Sequence, residues 1–240
     1  ITAMKTQQQS AESFFSFPTS FYLENFKSVF QKAGYFNYFK NSALITVVSV
    51  LFIFLLHPMA AYAISRNFYK KYFKLVYYVT LCGIFVPFQV VMIPLVVMGK
   101  TFGMLNIPGL ICMHIALSFP TNVFLMTGFV KGVPRDVDEA AMIDGCGPIR
   151  TFYQIIAPMM SPIIATALVL TVLGVWNDFT LPLVILQRGE KTLPLFIYNY
   201  RTKYITNFNL AFAAYTLSMI PPMVVYLFCQ KYIIKGLAAG

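Results

Sequence analysis

Five stretches of the 240-residue chain are long and apolar enough to cross a bilayer, and none contains Lys, Arg, Asp or Glu. They are Ser42–Ile64, Leu75–Met98, Ile107–Val130, Ile155–Val175 and Leu210–Cys229. A helix needs about 20 apolar residues to span the hydrocarbon core. No water solvates backbone N–H and C=O groups there, so only helices and closed barrels cross it. Barrel strands alternate polar and apolar residues over about 10 positions, and no such alternation occurs. The chain therefore reads as all-α, a polytopic membrane helical bundle with five spans, forming one domain over residues 1–240. Prolines stand within the runs, among them Pro87, Pro94, Pro120, Pro158, Pro162, Pro221 and Pro222. They predict kinked spans, since neighbouring helices in a bundle can satisfy the freed carbonyls.

Composition removes several function classes. Only 11% of residues are charged and the mean hydropathy is +0.70, against about 25% charged in a soluble domain. The net charge of +10 sits in short clusters between apolar runs, the pattern of charged membrane loops. The partner is a lipid bilayer and not nucleic acid. Cys82, Cys112, Cys146 and Cys229 form no CxxC pair and read as small packing residues, with no metal site. The chain has no GxxxxGK[ST] phosphate loop, no HExxH and no GxSxG serine, so no catalytic residues are expected. If the protein is a pump, a partner supplies the energy. Proton- and ion-driven transporters place ionisable groups at mid-membrane, which counts against half of a secondary transporter. His57 and His114 stand alone in their runs and read as packing residues.

Lys and Arg in the loops orient the spans. Arg66, Lys70, Lys71 and Lys74 crowd one loop with no acid beside them, which assigns that loop to the cytoplasm. The basic residues divide nine to nine between the two sides, but their density favours this choice. It places residues 1–41 and Gln187–Asn207 outside, and the 131–158 loop and the C-terminus inside. The outer N-terminal segment has no apolar leader of its own. A further span upstream is expected, giving six in the full protein.

The 131–158 loop, KGVPRDVDEAAMIDGCGPIRTFYQIIAP, is too polar to span and too patterned to be a plain connector. Asp136 as N-cap with Glu139 three residues on predicts a capping box. Gly145 supplies the stop. The resulting helix, Val137–Asp144, is short enough to need docking, since isolated helices require about 12–15 residues. Val137, Ala140, Ala141 and Asp144 share one face suited to close approach of a partner. Ile149, Phe152, Tyr153 and Ile156 form a second amphipathic stretch.

Glu139-Ala140-Ala141, then Gly145, Ile155, Ala157 and Pro158 at their spacing, resemble the EAA motif of binding-protein-dependent ABC importer permeases. Ala157 stands where that pattern has Leu. Asp138–Gly145 resembles the carbohydrate-uptake version. Trp176-Asn177-Asp178-Phe179 after the fourth span, the ending Gln230–Gly240 and the opening Ile1–Gln9 are similar to the maltose-type permeases of this family. The resemblance implies that 131–158 is a cytoplasmic coupling loop, with Glu139, Ala140, Ala141, Asp144, Gly145 and Pro158 as its coupling residues. It also implies the partners: a second permease subunit, two cytoplasmic ATPase subunits and an extracellular solute-binding protein. ATP and Mg are bound on the ATPases, and this chain binds no cofactor. The location implied is a bacterial or archaeal cell membrane. The expected role is alternating access for a sugar or oligosaccharide. The alternative within the superfamily is a polyol, glycerol phosphate or an amino acid.

Sugar sites combine apolar faces with amide and carboxylate groups. Trp176, Asn177 and Asp178 at the outer end of the fourth run, with Gln89 and Asn122 within spans, are the substrate-path candidates. Ser118 and Thr171 are further polar residues able to line a cavity. Each has a competing structural reading, as an interfacial aromatic belt with Tyr198, Tyr200 and Tyr204 for Trp176, and as helix bridging for the amides.

Overall fold

The computed structural model describes residues 1–31, 34–186, 189–198 and 208–238, with side chains as far as Lys231. Most of the expected outer segment Gln187–Asn207, with Tyr200 and Tyr204, lies outside the described residues, as do the side chains ending the Gln230–Gly240 signature. The described residues are helical, with no strand. The helices are α1 (Gln7–Glu12), α2 (Glu24–Gln31), α3 (Tyr35–Arg66), α4 (Lys71–Ile84), α5 (Phe88–Thr101), α6 (Ile107–Gly132) and α7 (Asp136–Ile143). They continue with α8 (Pro148–Thr151), a π turn at Phe152–Ile156, α9 (Ala157–Met159), α10 (Ser161–Asn177), α11 (Thr180–Ile185), α12 (Leu193–Tyr198) and α13 (Phe208–Ala238).

Three of the five runs are single helices of spanning length, α3, α6 and α13. The other two are bent pairs, by 106° between α4 and α5 and by 79° between Pro148–Met159 and α10. The bends are sharper than the kinks the prolines predict. Pro87 is the N-cap of α5 in extended backbone, φ −62° and ψ 138°, so the chain leaves α4 and restarts in a new direction. At the second bend Pro158 and Pro162 both lack an N–H. Their ladders lose the carbonyls of Gln154 and Pro158, and the π turn and the break at Met160 lie across that gap. Pro58 and Pro120 sit within α3 and α6 without ending them, because these two helices pack along much of their length.

Burial divides the bundle into two ends. At the loop end, Ala61, Ile64, Val123, Met126, Val130, Phe152, Ile156 and Met160 form a buried cluster. At the far end, Val29, Tyr35, Trp176, Leu193, Phe196, Ala213 and Ala214 form another. A third, around Ile45, Leu110, Met113, Val175, Leu181 and Ile185, joins α3, α6, α10 and α11. Exposed apolar residues along the spans, such as Leu51, Val79, Ile93 and Phe228, give the bundle a surface suited to lipid. Cys82 and Cys112 lie on that surface, a correction to their reading as core packing residues. His57 is buried edge-on to Phe119, with ring centroids 5.1 Å apart.

The polar N-terminal segment is folded. Lys5 is fully buried and donates from Nζ to Ser13 O at 2.8 Å and Ser16 Oγ at 3.0 Å. Asn25 and Asn209 both donate to Lys5 O, at 2.8 and 2.7 Å. These bonds fasten residues 1–25 to the first turn of α13.

Candidate functional site: a short exposed helix and a polar cavity

The first candidate region is α7 and its flanks. The expected capping box does not form. The N-cap is Arg135, whose backbone is already helical at φ −69° and ψ −25°, and no side chain caps the helix. Asp136 is instead the first helical residue. With Asp138 and Glu139 it puts three acids in the first turn, where the helix dipole favours negative charge. The C-terminus matches the expected stop. Gly145 has φ +79°, Gly145 N donates to Met142 O at 3.0 Å and Cys146 N to Ala141 O at 2.9 Å. This is a Schellman closure, which needs a left-handed residue at Gly145. A Cβ at Gly145 would meet nothing within 4 Å, so only the backbone angle requires glycine there.

The expected single face of Val137, Ala140, Ala141 and Asp144 is split. Asp138 and Ala141 are buried with Val137 half-buried, whereas Glu139, Ala140, Met142, Ile143 and Asp144 are exposed. Ile143 is 87% exposed and Ile149 67%. The second amphipathic stretch divides the same way, with Phe152 and Ile156 buried and Ile149 and Tyr153 outside. Pro158 is exposed at the bend before α10. A cavity of about 510 Å³ opens under α7, lined by Tyr62, Arg66, Asp138, Glu139, Met142 and Ile149 among others. Glu139 makes no ion pair among the described residues. The loop thus presents an unpaired carboxylate ringed by bare Met and Ile side chains.

The second region is a cavity of about 500 Å³ between α5, α6, α10 and α11. Three of the sequence candidates, Gln89, Asn122 and Asp178, meet on its wall, with Ser118 and Thr171. The bend before α5 is what brings Gln89 there. Asn122 and Thr171 are buried and bond to each other at 3.4 Å. One oxygen of Asp178 accepts from Thr180 N at 3.0 Å and Leu181 N at 3.3 Å, fixing the start of α11. The other lies 3.9 Å from His114 Nε2. Burial pushes the Asp178 carboxyl above the ordinary range, against the pull of those two N–H donors. Phe88, Leu117, Leu125 and Leu170 supply apolar wall. Apolar faces beside hydroxyl, amide and carboxyl groups suit a polyhydroxylated ring.

Trp176 and Asn177 do not join this cavity. Trp176 is buried, donates from Nε1 to Ser218 O at 2.8 Å and meets Phe39 edge-on at 5.6 Å. Asn177 donates to Leu173 O at 3.0 Å and faces a separate hollow of about 260 Å³ with Tyr198 and Tyr215. On a helix, residues 176 and 177 point about 100° and 200° round from Val175, which lines the larger cavity, and Trp176 and Asn177 both border the smaller hollow instead. His114, Thr121 and Thr180 also line the wall. His114 sits four and eight residues before Ser118 and Asn122, and that helical spacing is the signal that marks it.

Residues 57–239 match the family described as binding-protein-dependent transport system inner membrane component. The chain is 42% identical, over its whole length and 87% of the relative's, to a multiple sugar-binding transport system permease protein of Streptococcus mutans. It is 35% identical, over its whole length and 88% of the relative's, to a probable starch degradation products transport system permease protein of Thermoanaerobacterium thermosulfurigenes. Its fold superposes on a bacterial ABC transporter involved in the import of alginate with a TM-score of 0.82, covering 96% of this chain and 87% of that one at 20% identity. The chain belongs to the binding-protein-dependent transport system inner membrane components, as a multi-pass permease whose relatives serve sugar-uptake systems.

Proposed function

We propose that this chain is one permease subunit of an ATP-driven importer of a sugar or oligosaccharide, and that α7 is its coupling helix. The observation that carries the reading is the exposed face of Glu139, Met142 and Ile143 on a helix of eight residues. Such a helix is marginal alone, and a bare apolar patch with an unpaired acid calls for a complementary surface. The partners are two ATPase subunits that hold ATP and Mg, a second permease subunit and a solute-binding protein. The chain itself holds no nucleotide and catalyses no reaction. A related solved structure is an alginate ABC transporter in complex with a pentasaccharide-bound periplasmic protein, and relatives are named for melibiose, raffinose and stachyose or for diacetylchitobiose. The loop end with Arg66, Lys70, Lys71 and Lys74 is cytoplasmic, as is the C-terminus. The far end with residues 1–41 is outside. The cavity of Gln89, His114, Asn122, Thr171 and Asp178 is this subunit's share of the solute path. The test is purification by a tag on this chain followed by uptake into reconstituted vesicles. Two ATPases should co-purify, and saccharide uptake should be abolished by vanadate. Vanadate-resistant uptake without an ATPase partner would contradict the proposal.

A further inference from the structure

We infer that Arg66, Tyr62 and Asp138 form a strap that makes α7 move with α3 and α6, so that these three are positioning residues for the coupling stroke. The inference rests on the coupling-helix reading of α7. Arg66 is the last residue of α3, and its Nη2 lies 2.7 Å from Asp138 Oδ2 on α7, both side chains being nearly buried. The Tyr62 hydroxyl, one turn earlier, donates to the other Asp138 oxygen. The second guanidinium nitrogen, Nη1, donates to Val133 O at 3.0 Å and Val130 O at 3.3 Å, the C-cap and a last-turn carbonyl of α6. Arg135 Nη2 returns a bond to Arg66 O at 3.4 Å. One guanidinium therefore ties the ends of α3 and α6 to the buried side of α7. Lys131 adds a tie of a different kind, its Nζ standing 3.8 Å from the Phe68 ring centroid and 4.8 Å from that of Tyr77.

The position of the strap argues for transmission. Asp138 and Ala141 are buried, whereas Glu139, Met142 and Ile143 are exposed. On the helix Glu139 and Ile143 point about 100° and 140° round from Asp138, while Met142 stands one turn beyond it, so the exposed edge offered to a partner is distinct from the group the spans hold. Along the backbone, α7 reaches α10 only through α8, a π turn and a 79° bend. The strap is the direct route to α3, and it braces the three-residue link, 133–135, that joins α6 to α7. A buried ion pair replaced by apolar residues is often no less stable, so its use here is best sought in registration. Arg is the residue suited to it, because a planar fork holds a carboxylate and two carbonyls at once.

The experiment uses the purified complex in nanodiscs, with ATP hydrolysis measured with and without the binding protein and with raffinose, maltotriose and diacetylchitobiose as probes. Arg66→Gln and Asp138→Asn should bring the stimulation ratio down to about one, a loss within the roughly 5- to 150-fold span of ordinary coupling energies. The ATPases should still co-purify, and the binding-protein concentration giving half-maximal effect should not move. Arg66→Lys, which keeps the charge and loses the fork, should retain part of the stimulation. Full stimulation in both Arg66→Gln and Asp138→Asn would overturn the strap. If neither accumulates in the membrane, Tyr62→Phe decides, since it removes one hydroxyl. A reduced ratio supports the strap and an unchanged one overturns it. If no probe stimulates the unaltered complex, or Glu139→Lys keeps its ATPases, the coupling-helix reading falls and the strap falls with it.

Discussion

At the loop end, a carboxylate and a guanidinium meet at 2.7 Å in a nearly closed setting, and the hydrogen bonds of Arg66 Nη1 reach from α3 to the end of α6. On the cavity, Asn122 and Thr171 stand 3.4 Å apart, Gln89 is exposed to the open space and one Asp178 oxygen faces His114 across 3.9 Å. The first region has its buried charges matched within the chain and exposes an apolar face beside Glu139. The second has polar groups only loosely matched to each other. A matched network holds a helix in register, whereas unmatched amides and hydroxyls remain available to a ligand. One chain thus carries a mechanical contact and a recognition surface, separated along α6 from Val130 to His114.

The largest expected effect is at the exposed face of α7. Glu139→Lys should weaken ATPase association by about two orders of magnitude, the scale on which losing a desolvated charge contact acts. Quantitative pull-down with the tagged permease measures it. Wild-type association would erase the contrast between an inward strap and an outward docking face.

Asp178→Asn should lower uptake at subsaturating sugar about tenfold, as loss of a hydrogen bond to a charged group does. The amide oxygen can still accept from Thr180 N and Leu181 N, so α11 keeps its start and the change isolates the charge. A lowered maximal rate with unchanged half-saturation would place Asp178 outside recognition. Gln89→Ala should have a smaller effect, about threefold on half-saturation, because it removes one neutral hydrogen-bonding group.

Trp176→Phe should leave half-saturation unchanged and lower stability by about 1 kcal/mol, the ordinary contribution of one hydrogen bond. Thermal unfolding of the purified complex together with uptake kinetics checks both halves. A selectivity change in this variant would return Trp176 to the solute path.

The span count was legible because hydrocarbon demands length and apolarity, and Ser42–Ile64 reappears inside α3 with no ambiguity. The stop at Gly145 was legible because a left-handed backbone favours glycine. The capping box was not, since Asp136 and Glu139 fit the pattern whether or not the chain enters the helix one residue early. The face of α7 was misread for a related reason. An acid is rarely buried, so nothing in the sequence marks Asp138 as an inward residue, and only the fold brings Arg66 and Tyr62 from 72 and 76 positions away to meet it. On the cavity, Gln89, Asn122 and Asp178 were chosen as polar residues in or beside apolar runs. Trp176 and Asn177 stand with Asp178 at the outer end of the fourth run as an aromatic and an amide, and position along the chain does not fix which cavity each one lines.

The most direct test of the account is accessibility of a cysteine at position 143, with Cys146→Ser to remove the nearby native thiol. Ile143→Cys should resist a membrane-impermeant maleimide in intact cells. It should label in inverted vesicles stripped of ATPase and become protected when the ATPases are restored. Labelling from outside intact cells, or equal labelling of inverted vesicles with and without the ATPases, would contradict α7 as the cytoplasmic docking helix.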